Sequence, residues 1–324
     1  MMAPYLLRLL CLCLAAFFVI HSVVGVAVAA AGGAAVRAAR RMRPRSAGRF
    51  LLALRLLPAA LGLIVVGGLC VPSYLWLEPE SNAEELGAGC LAAAMLAAAV
   101  CGISMARGLR AAFRSARHAR GCERLGRLSK LAGWQRPVRI VDVHAPLLAM
   151  VGVVRSRVVI SKPVIDALSA GQLAAALRHE EAHRVSRDNL KRLLLVLAPG
   201  LLPGFDGFGA IERGWARFTE WAADDEAAAG DAHLSLALAA ALVRMARMGG
   251  HPPPVRLATS FLGDSREISA RVDRLLGPVP AAPARRGNSA SVAAGLALAA
   301  ACAASMLHPA TLQTAHRIIE ELIH

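Results

Sequence analysis

Four stretches of this 324-residue chain are almost uninterruptedly apolar: Leu9 to Val36, Phe50 to Leu77, Leu86 to Ala106 and Ser289 to His308. Each reaches the roughly 20 residues that a helix needs to cross a bilayer. In lipid such a segment must satisfy its own backbone hydrogen bonds, which leaves the α-helix as its conformation. The chain therefore reads as an α-helical membrane protein with four transmembrane helices, 9–36, 50–77, 86–106 and 289–308. A mean hydropathy of +0.50 agrees and excludes a disordered chain. A fifth apolar run, Leu193 to Leu202, is broken by Pro199 and Gly200. It is too short to span and reads as a buried or interfacial segment.

Charge orients the spans. Between the first two lie Arg37, Arg40, Arg41, Arg43, Arg45 and Arg49 without an acid, and between the second and third lie Glu78, Glu80, Glu84 and Glu85 without a base. The third span is followed by seven arginines from Arg107 to Arg127, then Lys130, against the single Glu123. Basic loops stay in the cytoplasm, so the N-terminus is expected outside and residues 107–278 inside. Ala27-Val28-Ala29 resembles a signal-peptide cleavage site, but the six arginines that follow would block translocation, so the first helix is read as retained. The formal charge of +15 is thereby assigned to topology. The arginine clusters carry no interleaved aromatics on which bases could stack, which argues against direct nucleic-acid binding. Six of the seven cysteines fall in expected spans, Cys122 does not, and no CxxC pair occurs. All seven read as small packing residues.

Residues 107–278 are enough for one α+β domain with its own core. Gly108 to Leu131 reads as a basic helix leaving the membrane, and Val138–Val143 and Val153–Ser161 as strands. Ser169, with Gln172 three residues later, is a capping-box signature for a helix running past His183. That helix carries His179-Glu180-Glu181-Ala182-His183, an HExxH motif. Histidines at i and i+4 share a helix face, so both imidazoles can reach one metal ion, and neutral imidazole suits zinc. Glu180 adjoins the first of them, where its carboxylate can take a proton from a bound water.

A third ligand is expected from a second helix, about Ile211 to Ala229, which ends at Gly230. Its Glu220 and Asp224 are four apart and share a face. Glu220 is read as the ligand, and Asp224 as the acceptor for the free ring nitrogen of a ligand histidine; the alternative is a solvated acidic face continuing through Asp225 and Glu226. Asp188 has two open readings, orienting the site or capping the surface of Arg184 and Arg187. His233 and His251 read as surface residues. A polypeptide substrate could pair by strand addition with an edge strand at Val153–Ser161. Residues 279–288, rich in Pro, Ala and Arg, read as a linker, and 309–324 as a short external tail.

Three spans, a basic helix, a hairpin, HEEAH followed by Arg187-Asp188, and later Glu220-Trp221-Ala222-Ala223-Asp224 with a fourth span resemble the BlaR/MecR-type antirepressor zinc peptidases. The resemblance implies an integral-membrane gluzincin with a zincin-like cytoplasmic domain. It implies one zinc ion on His179, His183 and Glu220, Glu180 as catalytic acid/base, and a winged-helix transcriptional repressor as substrate. It also implies a bacterial cytoplasmic membrane. That family carries a large external sensor domain after its last span, whereas about 16 residues follow the expected fourth span here, so a signal is expected through the spans, the short loops or a membrane sensor partner. A second resemblance is to the HtpX/Ste24-type quality-control peptidases, which share HExxH and a later E-x-x-A-D but usually place two spans before the motif. A third reading, a non-catalytic membrane transducer, conflicts with the presence of all four site positions.

Overall fold

The computed structural model describes residues 2–77, 87–131, 134–154, 156–249, 259–260, 265–277, 311 and 313–314. The expected linker 279–288, the expected fourth span 289–308 and most of the 309–324 tail lie outside the described residues, as does His251.

Among the described residues, three helices are long and apolar enough to cross a membrane. The first is α1 (Met2–Ala39). The second is α2 (Pro44–Val65), which passes through a π-helical turn at Val66–Cys70 into α3 (Val71–Leu77). The third is α4 (Ala88–Leu125). The third span and the basic helix expected after it are one uninterrupted helix, since its alanines and arginines favour helix and nothing within it breaks one. It ends where Gly126 enters a strand, so the basic helix stops short of the expected Leu131.

The strands are β1 (Gly126–Ser129), β2 (Val138–Val141), β3 (Leu148–Val151), β4 (Arg157–Ser161) and β5 (Thr259–Ser260), in sheet order β1-β2-β4-β3-β5. Two expectations are corrected here. The two strands read from sequence do not form a hairpin: β2 and β4 run parallel, with Arg139 opposite Val159. The hairpin is β3 with β4, pairing Leu148 with Ile160. Strands β1, β3 and β5 were not expected; β3, Leu-Ala-Met-Val, has a single β-branched residue and lacks the usual strand composition. Nor is the Val153–Ser161 stretch an edge. Gly152 turns the chain at φ 98°, the strand begins at Arg157, and both its sides are occupied, by β2 and β3. This strand therefore offers no free edge to which a substrate strand could add.

Helices follow in the order α5 (Lys162–Ala167), α6 (Ala170–Ser186), α7 (Asp188–Leu197), α8 (Gly209–Ala228), α9 (Ala232–Arg247) and α10 (Ser265–Leu276). The capping box forms: Ser169 accepts from the Gln172 amide, and the Gln172 side chain accepts from the Ser169 amide. One core lies between the sheet and α6 and α9, built on Leu148, Met150, Ile160, Leu177, Leu238 and Leu242. A second joins the apolar helices α1 and α2 to α8 through Ala35, Ala39, Leu51, Phe208, Ile211 and Trp215.

Close approach of α4 and α7 depends on Gly108, where an added Cβ would lie 2.1 Å from Leu197 Cδ2 and 2.6 Å from its Cγ. Gly108→Val should overpack this crossing and cost about 1–3 kcal/mol. Thermal unfolding in detergent should show the loss as a lowered midpoint, whereas Gly102→Ala, with open space around it, should leave the midpoint nearly unchanged.

Candidate metal site

The site is assembled from α6, α7, α8 and α10. Helix α6 presents His179 and His183 one turn apart on the face turned to α8, and both are buried. At Arg187 the backbone enters the left-handed region (φ 54°, ψ 42°), which ends α6 and redirects the chain into α7. That turn brings Asp188, five residues beyond His183, back against it, with Asp188 Oδ2 2.8 Å from His183 Nδ1. Asn189 fastens the start of α7 to the sheet by donating to the carbonyls of Met150 (3.2 Å) and Gly152 (2.8 Å).

From α8 come the two carboxylates. Asp224 Oδ1 lies 3.0 Å from His179 Nδ1. Each histidine thus has its Nδ1 held by a buried acid, which leaves both Nε2 atoms pointing inward. They are 3.1 Å apart, and Glu220 Oε2 lies 3.4 Å from one and 3.6 Å from the other. A tetrahedral zinc ion with bonds of about 2.0–2.1 Å has ligand atoms about 3.3 Å from one another, so this triangle has the right size for one. His179, His183 and Glu220 form a group that can hold a metal ion. Two imidazoles and a carboxylate are a donor set suited to zinc.

Glu180 is fully buried beside this triangle, and neither carboxylate oxygen has a hydrogen-bond partner among the described residues. Burial pushes its pKa up to about 7, against the pull of His183 and His179. Burial alone would lower His183, but the Glu220 charge and hydrogen bonds to Asp188 and Glu220 prevail and raise it to about 10. Glu220 and Asp224 resist the upward push of burial. The charge of His183 holds Glu220 well below the usual range, and that of Arg271 lowers Asp224.

Arg271 is the residue that sequence reasoning missed. Only 2% exposed, it grips Asp224 with two hydrogen bonds, Nε at 2.9 Å and Nη2 at 2.7 Å, and its Nη1 lies 3.3 Å from Glu220 Oε2. Arg192 of α7 reaches the other Glu220 oxygen at 3.5 Å. A signal for Arg271 existed: Ile268, Val272 and Leu275 mark the apolar face of α10, and Arg271 falls on that face, three residues after Ile268. An arginine among core positions requires buried acidic partners. His233 lies exposed on the first turn of α9, away from this group. A crevice lined by Arg217, Glu220, Trp221, Glu267, Ala270 and Arg271 opens beside the triangle. A wider cleft between α2 and α8 meets the site only through Asp188.

Residues 127–249 match the family model described as Peptidase family M48, whose members are zinc-dependent metallopeptidases. The match covers α6 and α8, hence the HExxH helix and both α8 carboxylates, and it stops short of Arg271. It does not reach down to the BlaR/MecR-type subfamily. No curated protein and no solved structure matches the chain.

With its pKa near 10, His183 of the metal-free protein carries a proton at neutral pH, and a metal must displace it to bind. Zinc affinity should therefore rise with pH, by about tenfold per unit between roughly pH 7 and 9, with about one proton released per ion. Calorimetry in buffers of different ionisation enthalpy reads the proton count; a pH-independent affinity would contradict the pairing described.

Proposed function

We propose that the chain is a membrane-anchored, zinc-dependent endopeptidase that holds one zinc ion on His179, His183 and Glu220 and uses Glu180 as its acid/base. The observation that carries this reading is the triangle of inward-facing donor atoms, 3.1–3.6 Å apart, beside a fully buried carboxyl with a pKa near 7. Its place within the M48-matching residues supports it, as do the three apolar helices packed against α8.

A zinc ion bound there supplies Lewis acidity to the scissile carbonyl and lowers the pKa of a bound water towards neutrality. The chain's own residues do the rest. Glu180, buried beside the triangle with both oxygens unpaired among the described residues, is placed to accept a proton from the attacking water and return it to the leaving nitrogen. Asp188 and Asp224 fix the tautomers of His183 and His179, each accepting from an Nδ1–H so that Nε2 keeps its lone pair. Arg271 holds Asp224 and Glu220 in place and balances their charge.

The substrate is a polypeptide presented at the membrane. The antirepressor resemblance would make it a transcriptional repressor within a signalling pathway, with the peptidase on the cytoplasmic face of a bacterial inner membrane, as the arginine-rich loops also favour. The E-x-x-A-D spacing favours a second reading, an HtpX/Ste24-like quality-control peptidase, because Glu220 and Asp224 both reach the site. Substrate breadth separates the two: a quality-control enzyme degrades casein-like and unfolded membrane chains generally, and a regulatory one does not.

The detergent-purified chain should contain about one zinc ion, and Glu220→Ala should lose most of it. Glu180→Gln should keep the zinc yet cut peptide hydrolysis by about 10²–10⁴-fold. Metal analysis reads the first, and hydrolysis of a mixed library of internally quenched peptides reads the second. Wild-type protein without zinc would overturn the proposal, and zinc retained by Glu220→Ala would overturn the choice of third ligand.

A further inference from the structure

The connection between α7 and α8 is fastened to each of the three candidate spans among the described residues. His21 of α1 lies with Nε2 2.9 Å from the Gly200 carbonyl. At Gly25 an added Cβ would come within 2.5 Å of Leu201, with Phe208 and Pro58 the next neighbours. Arg55 of α2 is buried, donates to the Ala198 carbonyl (3.1 Å), pairs with Asp206 (3.3 Å) and Glu212 (2.8 Å), and lies 4.1 Å above the Phe208 ring. From α4, Arg107 reaches Asp206 at 3.5 Å.

Beyond these anchors the chain doubles back. Leu202 and Phe205 exchange backbone hydrogen bonds of 3.1 and 3.0 Å across a turn made by Pro203 and Gly204. The tip leaves two large apolar side chains uncovered, Leu202 at 50% and Phe205 at 60% exposure.

The level of this tip follows from the spans. Tyr5 and Tyr74 pack ring against ring at one end of the bundle, centroids 4.9 Å apart, and exposed Trp76, two residues on, sits there as aromatic side chains do at a bilayer surface. A hydrocarbon layer of about 30 Å corresponds to about 20 helical residues. Counted from Tyr5 that reaches Gly25, from Tyr74 it reaches the neighbourhood of Arg55, and from Ala88 it reaches Arg107. These three endpoints are the residues that touch Leu201 and Asp206.

We infer that the Leu202–Phe205 tip inserts into the leaflet on the peptidase side and that lipid acyl chains cover Leu202 and Phe205. Asp206 stays at the headgroup level, where Arg55 and Arg107 neutralise it. Leu201, which precedes the tip, packs in one core with Val28, Ala35 and Leu51 of α1 and α2, so the tip adjoins helices that lipid surrounds. Insertion pins the loop joining α7 to α8, and with it the helices that carry Asp188 and Glu220, at a fixed depth. The inference rests on the membrane-anchored reading above.

The test is photocrosslinking of the full-length chain in phosphatidylcholine/phosphatidylglycerol vesicles, with p-benzoyl-phenylalanine replacing Phe205, Leu202, Leu63 or Val154 in turn. Leu63 (65% exposed) faces outward from α2, and Val154 (87% exposed) lies in the turn between β3 and β4, outside the candidate spans in sequence. Lipid adducts at 205 and 202 should match the yield at 63 and exceed that at 154 by about tenfold or more. Adducts at 63 with none at 205 or 202 would overturn the inference and leave the membrane reading standing. Protein–protein adducts at 205 would also overturn it, by showing that a second copy covers the tip. Failure at 63 as well would remove the membrane reading itself.

Discussion

Helix α8 is held on two sides, and the arrangement of the site depends on that double grip. One side packs through Ile211, Trp215 and Phe218 on Ala35, Ala39 and Leu51 of the apolar helices α1 and α2. Another presents Glu220 and Asp224 to the two histidines of α6. Tight packing transmits displacement rather than absorbing it, so the position of Glu220 relative to His179 and His183 is tied to how α1 and α2 sit. The close contact of Gly214 with Val36 and Leu51 shows how little slack there is: a Cβ there would lie 3.0 and 3.1 Å from those side chains.

The site concentrates charge where burial penalises it. Glu180, Glu220, Asp224 and Asp188 meet His179, His183 and Arg271 within a region nearly closed to solvent. Such a cluster persists only if each charge has a partner, and the pairings supply one in nearly every case: Asp188 to His183, Asp224 to His179 and Arg271, Glu220 to Arg192 and Arg271. Glu180 is the exception, and its raised pKa is the physical consequence. A carboxyl kept out of the ion-pair network and out of water is suited to exchanging a proton, whereas its paired neighbours are locked in one state. The network also explains why α10, distant in sequence, belongs to the site. Without Arg271 the two α8 acids would face each other across too little positive charge.

The features that sequence made legible are those set by local spacing. Histidines four apart on a helix begun by Ser169 and Gln172 must share a face, and Glu220 and Asp224 must do so as well. Long apolar stretches are helical for want of any other way to satisfy their backbone in lipid. The sheet was read less well. Leu148–Val151 carries little strand propensity and pairs only because β4 offers it an edge, and the parallel pairing of β2 with β4 is a long-range choice that neither strand encodes alone. Arg271 was missed because one arginine on an amphipathic helix looks like a solvated cation until its partners, 47 and 51 residues earlier in the sequence, are brought beside it.

By itself, then, the sequence determined that this chain has several membrane-compatible helices and an HExxH helix, because hydrophobic length and helical periodicity are local properties. Which atoms meet was decided only by the tertiary structure. The left-handed turn at Arg187 carries Asp188 back to His183, the packing of α8 against the spans sets Glu220 opposite both Nε2 atoms, and the approach of α10 delivers Arg271. Each of these is a contact between segments whose mutual placement is fixed by burying surfaces together, and no spacing along the chain records it.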